Sequence, residues 1–362
     1  MSGRPSWARW VTRGSLLIAA IALVYTIHNT GIDKLWENFQ RIGWWWLVVV
    51  PMEALITTLD AFAIRAFLSP EQHKVKLRTA LLAQLSGRAV NSVAPTGSLG
   101  EAIKVSVLTE HVSQSRAVAT ILLYNVVGFT VELMTVAVAA PIMAVLLPMP
   151  SSVRWLMIIA AVICATISIG LYLLVRRGML ASVAGLGVRL RLISRERYAR
   201  WTEKLTAVDD KIRITTGART RDRVLGISLV TISRLTSMSL SLMLLHAMGG
   251  AITVAFVAAY TVGGFVIYML GSMVPMGIGV SEGGNFEMFK LLGADSSAGV
   301  SLVEARRTTL LAYAAIGLVL LTASETVKRA RLKQRAAAAH PPAELAASAP
   351  VDAKPPPLGD AV

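Results

Sequence analysis

Residues 79–108 read TALLAQLSGRAVNSVAPTGSLGEAIKVSVL, from Thr79 to Leu108. Two apolar arms flank the break Ala94-Pro95-Thr96-Gly97. A membrane crossing needs about 20 mostly apolar residues, so two crossings do not fit into these 30. Proline removes a backbone donor and clashes with the turn before it, and the following glycine admits conformations that other residues resist. The stretch predicts a helical hairpin that starts and finishes on one side of the membrane.

The rest of the chain supplies that membrane. Of its 362 residues, 54% are hydrophobic and 16% charged, with mean hydropathy +0.60. Soluble domains carry about 25% charged residues, so a water-facing surface is excluded. Apolar runs lie at about 15–31, 44–67, 117–147, 153–175, 224–248, 251–274 and 305–325. The chain therefore reads as an all-α, polytopic membrane helical bundle of about six full spans plus two broken, re-entrant hairpins. The first run follows Arg4, Arg9 and Arg13 but ends in His28-Asn29-Thr30, with no small-x-small site, so it is expected to stay uncleaved. Trp7, Trp10 and Trp44-Trp45-Trp46 stand where interfacial anchors belong.

Charge predicts the orientation. Segments 1–14, 68–78, 176–223 and 326–362 carry +3, +2, +8 and +3, slightly more together than the +15 of the whole chain. Segments 29–43 and 293–307 sum to zero. The positive-inside rule puts both termini and the long loop in the cytoplasm, in a cell inner (plasma) membrane. Residue 78 is then inside, and so is residue 109, because the runs 117–147 and 153–175 must go out and return before 176. This forces the re-entrant reading of 79–108. The same reasoning backwards from the C-terminus makes 251–292 start and end outside, broken at Pro275-Met276-Gly277, although 251–274 is long enough to cross alone.

The two breaks share S-x-(A/V)-P-x-G, as Ser92 to Gly97 and Ser272 to Gly277, and each is followed by a glutamate, Glu101 or Glu282. Each half runs span, span, broken hairpin, span, and the halves start on opposite sides. One domain over 1–335 is therefore expected, with inverted repeats at about 14–150 and 151–327, the basic cytoplasmic loop 176–223, and a disordered Ala/Pro-rich tail at 336–362. Discontinuous helices at equivalent places in inverted repeats point to a midplane binding site. Irregular backbone at that depth survives only where protein or water satisfies it, so the breaks should line a cavity, with half-helix N-termini suited to an anion.

The candidate substrate-binding residues are Arg88, Asn91, Pro95, Gly97, Glu101 and Lys104 at the first break, and Pro275, Gly277, Gly279 and Glu282 at the second. An ionisable residue near the bilayer centre costs about 2.5–3.5 kcal/mol on insertion scales, so such residues are functional or paired. Arg88 and Lys104 flank the break and can converge on one phosphate. Against this, Arg88 can pair with Glu132 or Asp60, and Lys104 can snorkel to the cytoplasmic interface. Ser98 to Glu101 and Gly279 to Glu282 have capping-box spacing, so each glutamate is either a helix cap or a partner for a proton or headgroup. Glu53, Asp60, Asn125, Glu132 and Arg234 are read as pairs inside the bundle. Glu304, Arg306 and Arg307 are read as a solvated helix end. The long loop carries stripes, Met179 to Ile193 and Tyr198 to Ile212, of amphipathic helices that either lie on an anionic leaflet or pack as a hairpin.

No cofactor or metal is expected. Cys164 stands alone, the five histidines lack ligand spacing, and no P-loop is present. Nothing resembles a catalytic cluster, and the one adjacent acid pair, Asp209-Asp210, sits in the basic loop. The chain is therefore not expected to be an enzyme, and nucleic acid is not needed to explain its charge.

Arg88-Ala89-Val90-Asn91 leading to Pro95, Gly97 to Glu101 with Lys104, and Pro275 to Gly284 resemble the lysylphosphatidylglycerol synthase transmembrane-region proteins, also described as flippase-like, over about 10–330. That family commonly has arginine where this chain has Lys104, which weakens bidentate phosphate binding there. In bifunctional relatives a soluble aminoacyl-transferase domain follows. Here a low-complexity tail follows Arg335, so aminoacyl-lipid synthesis is not expected. The resemblance implies movement of lipids or lipid-linked molecules between leaflets. Anionic-headgroup lipids are the expected partners, alongside a second copy of the chain or a lipid-biosynthetic enzyme. The alternatives are a membrane-embedded lipid-modifying transferase and a non-transporting scaffold.

Overall fold

The computed structural model describes residues 36, 40, 43–93, 99–177, 206, 210, 220–247, 252–272, 274, 277, 279–309, 312–313, 315–317, 319 and 326. The expected first span at 15–31, most of the basic loop and the tail at 336–362 lie outside them. The described residues form helices: α1 Trp46–Phe67, α2 Leu77–Val93, α3 Leu99–Leu108, α4 Gln114–Leu146, α5 Ser151–Arg177, α6 Thr220–Ala247, α7 Val254–Gly271 and α8 Val280–Leu291. A ninth, α9, runs over 296–309, with helical residues again at 312–313 and 315–317.

Among the described residues, five helices are long and apolar enough to cross a membrane: Gly43–Phe67, Gln114–Leu146, Ser151–Leu173, Thr220–Ala247 and Val254–Gly271. Several threonines on them satisfy their hydroxyls within the helix, as lipid favours. The hydroxyls of Thr58, Thr166 and Thr236, all exposed, donate to the carbonyls four residues back at 2.7–2.8 Å.

α1 packs along α6, α4 along α5, and α7 against α4. Two apolar cores lie at opposite ends of the α1–α6 pair. One joins Phe67 and Leu68 of α1 to Val230 of α6 and to Ala80, Leu108 and Tyr124. The other joins Val49 and Ile56 of α1 to Leu240 and Leu244 of α6 and to Phe256, Phe289 and Leu302. α2 and α3 thus pack at the C-terminal end of α1, whereas α8 and α9 pack at its N-terminal end.

Where the two hairpins are expected, α2 packs on α3 and α7 packs on α8. Small residues let their backbones approach. A Cβ on Gly100 would stand 2.0 Å from the Gly87 carbonyl oxygen. One on Gly284 would stand 2.7 Å from the Ile267 side chain. α2 also meets the helical residues that follow α9, and α7 meets α4. Gly317 lies against the backbone of Leu85 in α2, and Phe129 of α4 faces Phe265 of α7 with ring centroids 6.3 Å apart.

One expectation is corrected here. The neutral segment 293–307 is mostly helix, and the final helix begins at 296, not 305. Asp295 starts it by accepting from the Ser297 hydroxyl at 2.7 Å and backbone N–H at 2.9 Å. These bonds hold its carboxyl below the usual carboxylate range. Leu302, Ala305 and Thr309, all on one face, are buried.

Candidate functional site

The polar residues of the bundle form three connected groups. In α1, Glu53, Thr57 and Asp60 recur at helical spacing and are all buried. Glu53 accepts from Arg88 of α2 at 2.8 Å, and Arg88 also donates to the Thr57 hydroxyl at 3.0 Å. Arg306 of α9 stands 3.9 Å from the other Glu53 oxygen and 3.4 Å from the Ser237 hydroxyl. One carboxylate thus faces two arginines, one from α2 and one from α9. The next residue, Arg307, pairs with Glu282 of α8 at 2.5 Å.

The second group closes the first hairpin. The Asn91 side-chain oxygen accepts from the backbone N–H of Gly100 at 2.6 Å, and its amide donates to Glu101 at 3.1 Å. Asn91 therefore caps the helix that follows the break. Glu101 also accepts from Lys104 at 3.0 Å and from Asn125 of α4 at 2.8 Å. Lys104 lies over the Tyr124 ring, 5.2 Å from its centroid.

The third group lies between α1, α2, α4 and α6. Asp60 accepts from Gln84 at 2.8 Å and Ser233 at 2.7 Å, and Gln84 also donates to Tyr124 at 3.1 Å. Arg234 stands over the other side of this knot, 5.9 Å from the Tyr124 ring centroid and 3.7 Å from Glu132. Arg234, Glu132 and Arg306 line a cavity of about 380 Å³ with Ser237, Tyr260 and Tyr268.

The structure revises several sequence readings. Arg88 has its acid, but it is Glu53, not Glu132 or Asp60, because Asp60 is already held by two donors and Glu132 faces Arg234. Lys104 does not snorkel to an interface; it is 3% exposed and pairs within the bundle. Arg88 and Lys104 each sit on a different carboxylate. Arg306 and Arg307 are not a solvated helix end, since their side chains are 28% and 17% exposed and both reach acids of other helices.

The two glutamates differ. Glu101 spends both oxygens on side chains, and Asn91 takes the capping role. Glu282 does cap, accepting from the Gly279 N–H at 2.8 Å while its other oxygen holds Arg307. Gly277 and Gly279 have φ of 63° and 83°, left-handed values that favour glycine and turn the chain between α7 and α8. Pro95, Gly97 and Pro275 lie outside the described residues. Glu53 had been read only as a bundle pair, although the spacing Glu53, Thr57, Asp60 was the signal that marks a polar face on an apolar helix. Among the described residues, no three His, Cys, Asp or Glu side chains are placed to hold a metal ion.

The model of the lysylphosphatidylglycerol synthase TM region family matches residues 14–324 of the chain. Neither a curated protein nor a solved structure matches it. The match covers most of the chain, which therefore belongs to this family and is a multi-pass integral membrane protein.

Proposed function

From this membership we propose that the protein moves lipids or lipid-linked molecules between the leaflets of the inner membrane, with an anionic headgroup carried through the polar interior. The observation that carries the reading is the chain of ion pairs at the bundle centre. Glu53 faces Arg88 of one hairpin and Arg306, while Arg307 holds Glu282 of the other. A charged interior is costly to keep in a membrane and marks a substrate path. Partly exposed arginines can exchange an internal carboxylate for a lipid phosphate without either charge being stranded.

The arrangement suits alternating access. The hairpins pack at opposite ends of α1, and their first arms, α2 and α7, lean on the helical residues that follow α9 and on α4. Such contacts are expected of inverted repeats that rock about a shared centre. Both termini are taken as cytoplasmic, from the charge bias. The protein is taken to act without covalent chemistry, moving its substrate passively, by ion coupling or with a partner.

Reconstitution into liposomes carrying acidic and zwitterionic lipids in one leaflet tests this. The wild type is expected to equilibrate at least one acidic lipid faster than empty vesicles do. Arg307→Gln, which unties the second hairpin, is expected to change that rate about tenfold, the effect of roughly 1.4 kcal/mol. A wild-type rate equal to that of empty vesicles across the panel overturns the proposal.

A further inference from the structure

The charged cavity has an apolar neighbour. It shares Thr135, Leu235, Met238 and Thr261 with a second, larger space of about 530 Å³ between α4, α6 and α7. That groove is apolar, and Met134, Val138 and Val254, which line it, are 43%, 63% and 68% exposed. It faces outward from helices that qualify as spans. A polar chamber thus borders an apolar groove on the exposed side of the bundle.

The chamber is short of negative charge. Arg234 and Arg306 line it against Glu132 alone, and the Glu53 carboxylate near Arg306 is shared with Arg88. Glu132 stands 3.7 Å from Arg234, too far for a hydrogen bond, and the Arg234 side chain is 32% exposed on the cavity lining. A guanidinium without a hydrogen-bonded acid suits a phosphate oxygen, which accepts charge-assisted bonds from its exposed nitrogens.

We propose that these two spaces form one binding site for an acidic phospholipid. Its phosphate is held by Arg234 and Arg306, and one acyl chain lies in the groove between α4 and α7. The proposal rests on the transport reading and specifies its substrate class and its headgroup residues. The lipid enters laterally, so its chain never leaves an apolar surrounding. The candidate cations of the first hairpin, Arg88 and Lys104, serve as internal partners of Glu53 and Glu101.

The test is lipid retention by purified full-length protein in detergent, measured by native mass spectrometry with phosphatidylglycerol and with phosphatidylcholine. The wild type is expected to retain phosphatidylglycerol about tenfold better, in line with the worth of a charged hydrogen bond. Arg234→Gln should abolish that preference. Because Arg234 also lies over Tyr124, Glu132→Gln provides an independent arm: removing the internal acid should raise retention, whereas a purely structural pair predicts a fall. Val138→Trp, which fills the groove from its exposed edge, should lower retention of both lipids.

Equal retention of the two lipids by the wild type, or weaker retention in Glu132→Gln, overturns the proposal. So does displacement of phosphatidylglycerol by millimolar inorganic phosphate in wild type and Val138→Trp alike, which would mark a free-anion site. If liposome transport is robust while these arms fail, the site is wrong and the transport reading stands. If binding behaves as expected and no lipid is moved, the transport reading is the one that fails.

Discussion

Glu53 is one carboxylate set between two guanidinium groups, and its surroundings make the three residues unequal. Its side chain is 1% exposed, whereas Arg88 and Arg306 keep 25% and 28%. Removing one partner of a fully buried pair costs about 3–5 kcal/mol, mostly for the charge left behind. Here the arginines left behind can rehydrate in part, so Glu53→Gln is expected to cost about 2 kcal/mol, below that range. Arg306→Gln loses the 3.9 Å contact with Glu53 and the long 3.4 Å bond to Ser237, and is expected to cost about 1 kcal/mol. Thermal midpoints in detergent check the ranking, and equal losses would contradict it. Glu53 and Asp60 were legible singly, as pairs inside the bundle, and their spacing with Thr57 is the signal of a continuous polar face that a residue-by-residue reading passes over. Which arginine it would meet was not legible, because Arg88 and Arg306 lie 35 and 253 residues away in sequence and only packing brings them together.

The first hairpin depends on two backbones meeting. The Gly100 Cα faces the Gly87 carbonyl, and the Asn91 amide spans the gap to the Gly100 N–H at 2.6 Å. An added Cβ on Gly100 would lie 2.0 Å from a backbone oxygen and 2.4 Å from the Asn91 side chain, so the arms must part. Overpacking costs about 1–3 kcal/mol where side chains can move, and backbone cannot yield as cheaply. Gly100→Ala is therefore expected at or above the top of that range, with loss of the Asn91 cap. Gly170, exposed on α5 with nothing within 4 Å of its would-be Cβ, is the control. Gly170→Ala should be neutral or stabilising by up to about 1 kcal/mol through helix propensity. Similar losses for the two in an unfolding titration would dismiss the close approach. The hairpin itself was visible in residues 79–108, because length and a Pro-Gly break are local properties. The choice between cap and partner was not legible, for a local reason too. Ser98 and Glu101 have the right spacing for a box, but Asn91 reaches the same helix start across the break, and no spacing rule looks across a turn. The start of α9 was missed because 293–307 balances its charges and contains Gly293 and Gly299, although Asp295 and Ser297 carry a helix-start signal.

For the whole molecule, the question is whether the halves are inverted, and three independent features bear on it. Four segments carry +16 against the +15 of the whole chain, and the positive-inside rule puts all four on one side. The two hairpins pack at opposite ends of α1, one near Phe67 and the other near Val49. α2 touches the helical residues that follow α9, and α7 touches α4. Parallel repeats would put both hairpin bases at the same end and would leave the charge bias without a single side. Inversion therefore makes a directional prediction. Ser113 starts α4 just after the first hairpin, is exposed, and makes no side-chain cap bond. Lys290 lies at the end of the second hairpin, and its 3.8 Å contact with Glu287 is solvent-exposed and worth little. In a Cys164→Ala background, Ser113→Cys should react with a membrane-impermeant maleimide only from the cytoplasmic side, and Lys290→Cys only from the opposite side. Labelling of both from one side would remove the inverted repeat and with it the rocking mechanism. It would leave intact the cavity beside Arg234, whose geometry does not depend on which way the chain faces.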